Sequence, residues 1–143
     1  MGFDYRAIYQ LPGEGSIDLG ESPSRTIQEA LCTFMEKGVD YGSLKVDENV
    51  ITELEAYLDT VTDELKALEK SIDEMDYNFK RFTAEGRTAA CRQDNLLLIR
   101  KMKRRYKQPM TFHLNLHDFL IRVVQAARTA NRYPGHQVVI HYS

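Results

Sequence analysis

Residues 51–82 read ITELEAYLDTVTDELKALEKSIDEMDYNFKRF, and their apolar positions decide the architecture. Ile51, Leu54, Leu58, Val61, Leu65, Leu68, Ile72, Met75, Phe79 and Phe82 follow one another at alternating steps of three and four. That spacing lines one seam of a long α-helix and turns it toward a partner helix. Asp47 stands ahead of the stretch as an N-cap, and the acids that follow suit the positive end of a helix. From Asp47 to Phe82 the helix measures about 54 Å at about 1.5 Å per residue, longer than a domain of this size is wide. The spacing therefore predicts a segment that protrudes or is clasped by another chain.

Working outward in the C-terminal direction, Thr83-Ala84-Glu85-Gly86 reads as a break. A second helix is expected over Arg87–Lys107, with Pro109 as its stop, because proline lacks the N–H that a helix interior needs. Residues 47–107 thus form a protruding antiparallel coiled-coil hairpin inside a single domain, 1–143. A turn near residue 85 brings positions whose numbers total about 170 face to face. Arg100–Lys107 then lie beside Asp63–Lys70. Ile51, Leu54, Leu58, Val61 and Leu65 are candidate interface residues. The second helix is too short to cover the first three, and each leucine left in water forfeits about 1.5–3 kcal/mol. Helices over 23–37 and 117–131 could cover them, or a second subunit could; self-association as a homodimer or higher oligomer is the expectation.

Outside the hairpin the pattern is that of a small sheet with helices. Phe3, Tyr5, Ala7 and Tyr9 alternate with Asp4, Arg6 and Gln10 along a strand over residues 3–10. Leu11-Pro12-Gly13-Glu14-Gly15 is a turn, and Ser16–Leu19 a short returning strand. Ser22-Pro23 opens a helix whose stripe is Ile27, Ala30, Leu31, Phe34 and Met35, with Gly38 as its stop. Val39–Val46 is a linker with a short strand at its end. Thr111–Leu116 alternates like a strand, and Asn115 caps a helix over Leu116–Asn131. After the turn Tyr133-Pro134-Gly135 comes a final strand, Gln137–Tyr142. The fold class is α+β and mostly helical: a small antiparallel sheet from both termini, two amphipathic helices, and the inserted hairpin.

Composition narrows the function classes. Apolar residues make up 43% and charged residues 28% of the 143, which suits one folded domain and not a disordered tail. No apolar run approaches the ~20 residues of a bilayer span. The first ten residues carry Asp4 and Arg6 and no apolar signal region, so a cytoplasmic location and no membrane partner are expected. The two cysteines, Cys32 and Cys91, are too few for a disulfide framework.

Charge is strongly segregated. Asp47–Asp76 holds eleven acids and two bases, and Lys80–Lys107 holds ten bases and two acids. Blocks so opposed are expected to meet within the chain. Six of the eight residues in Arg100–Lys107 are basic, which also suits phosphate neutralisation. Arg87, Arg92, Arg100, Lys103, Arg104 and Arg128 are the candidate residues for an anionic ligand, a nucleic acid or a small nucleotide.

Catalytic patterns are sparse. His113 and His117 stand four apart, but a strand at 111–116 separates them, and no metal set is assigned. Ile140-His141-Tyr142-Ser143 matches the hydrophobic-His-x-Ser/Thr pattern of two-histidine phosphoesterases, with Phe112-His113-Leu114-Asn115 as a degenerate second copy. No G-x-S-x-G elbow or phosphate loop occurs. The leading expectation is a non-enzymatic adaptor or stoichiometric inhibitor that binds another protein and needs no cofactor. An anionic-ligand binder comes second and a two-histidine phosphoesterase third.

Overall fold

The computed structural model describes residues 4–13, 15–35, 42–85 and 89–143. Phe3, Gly38, Gly86 and Arg87 lie outside them. The chain divides into two compact units, one of Met1–Val61 with Asn115–Ser143, the other of Thr62–Leu114.

The first unit holds a four-stranded antiparallel sheet in the order β2-β1-β4-β3, from β1 (Tyr5–Gln10), β2 (Ser16–Glu21), β3 (Gly42–Lys45) and β4 (Gln137–Tyr142). The two end strands pair in one unbroken register, from Tyr5 with Tyr142 to Gln10 with Gln137. Alternation then sets Tyr5, Ala7, Val138, Ile140 and Tyr142 on the buried face. On the other face Arg6, His141 and Ser43 stand in one cross-strand row. Gly42 is directly opposite Tyr142, whose ring lies over the position a Cβ would take, with Oη only 2.5 Å away. The sequence therefore needs a residue without a side chain there.

Helix α1 spans only Ile27–Leu31, so the helix expected from Ser22 to Gly38 is corrected. Two hydroxyls explain its late start. Ser22 Oγ donates to the Ser24 carbonyl at 2.8 Å, and the Thr26 N–H donates to Ser24 Oγ at 3.1 Å. Such local bonds offer the backbone an alternative to the first helical turn. Ile27 and Leu31 are buried as expected, whereas Ala30, Phe34 and Met35 keep part of their surface.

Helix α2 spans Glu48–Glu85 and helix α3 spans Ala89–Ala130; both contribute to both units. The Asp47 carboxylate accepts the Val50 N–H at 3.0 Å, the cap that the sequence predicts. In the first unit α2 buries Val50, Ile51, Leu54 and Val61, and α3 buries Leu116, Phe119, Leu120, Val123 and Ala127. Each side chain of this size removed from water stabilises the unit by about 1.5–3 kcal/mol.

The single helix α3 replaces three expected elements: a helix stopped at Pro109, a strand over 111–116, and a third helix. Pro109 lies inside α3. The lost N–H leaves the Arg105 carbonyl without its helical bond, while two side chains bond other carbonyls of the same turns. Thr111 Oγ1 donates to the Lys107 carbonyl at 2.9 Å, and His113 Nδ1 lies 2.7 Å from the Pro109 carbonyl. The alternation over 112–116 mimicked a strand because Phe112 and Leu114 are exposed residues, not a buried row.

Candidate interaction surface

The second unit is built from the later part of α2 and the earlier part of α3. Leu65 and Met75 of α2 are buried, and Leu68 and Ile72 partly so. Two ion pairs set the antiparallel register. Glu64 Oε2 lies 2.7 Å from His113 Nε2, and Asp76 Oδ1 lies 2.8 Å from Lys103 Nζ. The numbers of these pairs total 177 and 179, not the expected value near 170. The difference arises because α2 continues through Thr83, Ala84 and Glu85, where a break was expected. Lys103 therefore meets Asp76 rather than the stretch Asp63–Lys70.

The two charge blocks scarcely meet. Arg100, Lys101, Lys103, Arg104, Arg105 and Lys107 are all exposed. Among the described residues, only Lys103 of these six forms an ion pair with an acid. On α2, exposed Asp63, Glu69, Asp73 and Glu74 likewise have no ionic partner among the described residues. Beside the basic run, α3 presents three consecutive leucines: Leu96 is 44% exposed, and Leu97 and Leu98 are each 54% exposed. In the sequence the three stand only as adjacent apolar residues of the second helix.

The remaining anion candidates are placed differently. The side chain of Arg92 lies outside the described ones, as does Arg87 altogether. Arg128 belongs to the first unit and is engaged by Glu55. Of the interface candidates, Ile51, Leu54, Val61 and Leu65 are already buried by the chain itself. Leu58 alone keeps surface. It joins Ile121 and Val124 in the floor of a groove of about 330 Å³ in the first unit, edged by Glu55, Asp59, Gln125 and Arg128.

Three of the four histidines are hydrogen-bonded at a ring nitrogen. Besides the His113 contacts, His136 Nδ1 lies 2.8 Å from Tyr9 Oη, and His141 Nδ1 lies 2.7 Å from Ser43 Oγ. His117 Nδ1 is 4.0 Å from the Asp118 carboxylate. Both nitrogens of His113 are thus occupied, by Glu64 and by the Pro109 carbonyl. Neither is available in this arrangement to act as a general base, as the phosphoesterase pattern requires. Among the described residues no group of three or more His, Cys, Asp or Glu side chains is placed to hold a metal ion. No described helix is long and apolar enough to cross a membrane.

The Tyr5 phenol holds its proton more tightly than a free phenol does. Burial raises the pKa of its phenol above the ordinary 10.0, and the neighbouring Tyr142 adds to the rise. Its hydroxyl is buried with no hydrogen-bond partner among the described residues. The core face of β1 thereby explains this tyrosine without any ligand.

No known protein family, no characterised protein and no solved structure matches the chain.

Proposed function

We propose that the protein is a non-enzymatic binding protein, an adaptor or stoichiometric inhibitor, that acts through α2 and α3 in the unit Thr62–Leu114. The observation that carries this reading is the run Leu96–Leu98, half in water on the same helix as the unpaired basic residues. Burying the three leucines against a partner would recover several kcal/mol at about 25 cal/mol per Å². Exposed leucines that adjoin one another are a stronger sign of contact than single ones. The α2 stripe of Leu65, Leu68, Ile72 and Met75, at steps of three and four, supports coiled-coil pairing of the two helices behind that surface.

A photo-crosslinking residue in place of Leu97, installed in the chain in its native host, tests the reading. A discrete protein adduct is expected, and Leu98→Asp in the same chain should remove it. The absence of any discrete protein adduct overturns the proposal.

A second reading, an anionic ligand, is favoured by the five unpaired cations Arg100, Lys101, Arg104, Arg105 and Lys107. It predicts retention on heparin that falls steeply as salt rises, since bound phosphates release counterions. Elution at low ionic strength, unaltered in Lys101→Glu/Arg104→Glu, removes it.

A further inference from the structure

Helical periodicity sorts the unpaired charges of the second unit into rows. On α2, Glu69, Asp73 and Asp76 follow at steps of four and three, and so share one face. On α3, Arg100, Lys103 and Lys107 follow at steps of three and four and share another. Contact between Asp76 and Lys103 at 2.8 Å sets these two rows side by side. The register of the unit also brings them close to one level, since position 73 of α2 corresponds to about position 105 of α3 on the totals given by the two ion pairs. Leu96 and Leu114, both exposed, continue the basic row at steps of four and three at its two ends, through Met110. One side of the unit therefore carries an acidic row and a basic row of three residues each, running in parallel. Apart from Asp76 with Lys103, none of the six has an ion-pair partner among the described residues.

A surface with this pattern is complementary to itself. We infer that its occupant is a second copy of this chain, docked about a two-fold axis that runs along the helices between the rows. That operation lays the acidic row of each protomer over the basic row of the other and forms every contact twice, as a two-fold interface must. The inference rests on the proposed binding role of this unit and names the partner. It also accounts for charge blocks that one copy leaves almost wholly unneutralised. A polyanion would match the basic row alone and would be repelled by the acidic row beside it.

The test uses the full chain in analytical ultracentrifugation at about 50 mM and about 500 mM salt, which span strong and weak screening. A dimer at low salt that dissociates at high salt is expected. Glu69→Lys/Asp73→Lys and Arg100→Glu/Lys107→Glu should each raise the dimer dissociation constant on the order of 100-fold through like-charge contacts. Mixed one to one, the two variants should recover a dimer, which neither forms alone. Circular dichroism of each variant should retain the wild-type helix signal. A wild-type monomer at low salt overturns the inference, as does failure of the mixture to dimerise. So does a dimer indifferent to both variants, or a basic-row variant that loses only heparin retention. A Leu97 adduct to a different protein, formed by a chain that is monomeric throughout, would overturn the second-copy inference and leave the binding role standing.

Discussion

His113 is held between two acceptors: the Glu64 carboxylate lies 2.7 Å from Nε2 and the Pro109 carbonyl 2.7 Å from Nδ1. A neutral imidazole donates to one of these oxygens and a protonated one to both. The clamp ties α3 to α2 four residues beyond the proline. Glu64 is about half in water, so screening limits the pair to about 0.5–1 kcal/mol. A double-mutant cycle of Glu64→Gln and His113→Gln, read by urea unfolding, should show a coupling of that size. Strict additivity would show that the pair contributes nothing.

Pro109→Ala should stabilise the protein. It restores an N–H to the interior of α3, where proline costs about 3 kcal/mol. Loss of proline's restriction on the unfolded chain returns about 0.4–1 kcal/mol of that. A net gain of about 2 kcal/mol in chemical unfolding is expected. A loss of stability would mean that the helix depends on a bend at this residue.

Gly42→Ala should be destabilising by about 1–3 kcal/mol. Its Cβ would meet the Tyr142 ring 2.5 Å from Oη, and that ring is itself almost fully buried. The pair Gly42→Ala/Tyr142→Ala should show less than the summed loss, because the clash vanishes with the ring.

Tyr5→Phe should raise stability by about 1 kcal/mol, since it removes a buried hydroxyl that has no partner among the described residues. It should also alter alkaline unfolding. The folded phenol titrates above its unfolded value of 10.0, so its share of stability is intact below pH 10 and declines as pH rises from there toward the folded value. The phenylalanine variant lacks this decline. Parallel alkaline unfolding curves for the two proteins would contradict it.

Leu54→Ala should cost about 2–5 kcal/mol, because Leu54 is fully buried within one chain. Leu97→Ala should change stability of the isolated chain by less than about 0.5 kcal/mol, as Leu97 is half exposed. Equal losses at both would mean that Leu97 is already covered by a partner.

Much of the fold could be read in advance where local chemistry and pattern agreed. Asp47 caps α2 as its side chain allows, and the alternation of Tyr5 and Ala7 against Arg6 marked both the strand and its buried face. Two local signals misled. Pro109 looked like a stop, yet Thr111 and His113 secure the carbonyls around it. Ser22-Pro23 looked like a helix start, yet the hydroxyls of Ser22 and Ser24 hold turns instead. Ile51 and Leu54 lacked a partner within the hairpin, and the residues of the helix expected over 116–131, here the end of α3, supply Leu116, Phe119, Leu120 and Val123 to the same unit. Of the surface, the basic run was plain in the sequence. The isolation of its charges depended on a register that the position of a turn decides.

The order of strands imposes a timetable on synthesis. β4 lies between β1 and β3, and β3 has no other neighbour in the sheet among the described residues. As the nascent polypeptide leaves the ribosome, β1 and β2 can zip locally, but β3 must wait about ninety residues for its mate. Until residues 137–142 emerge, β1 and β3 each present an open edge to other macromolecules, which makes that interval the one in which a chaperone would matter most.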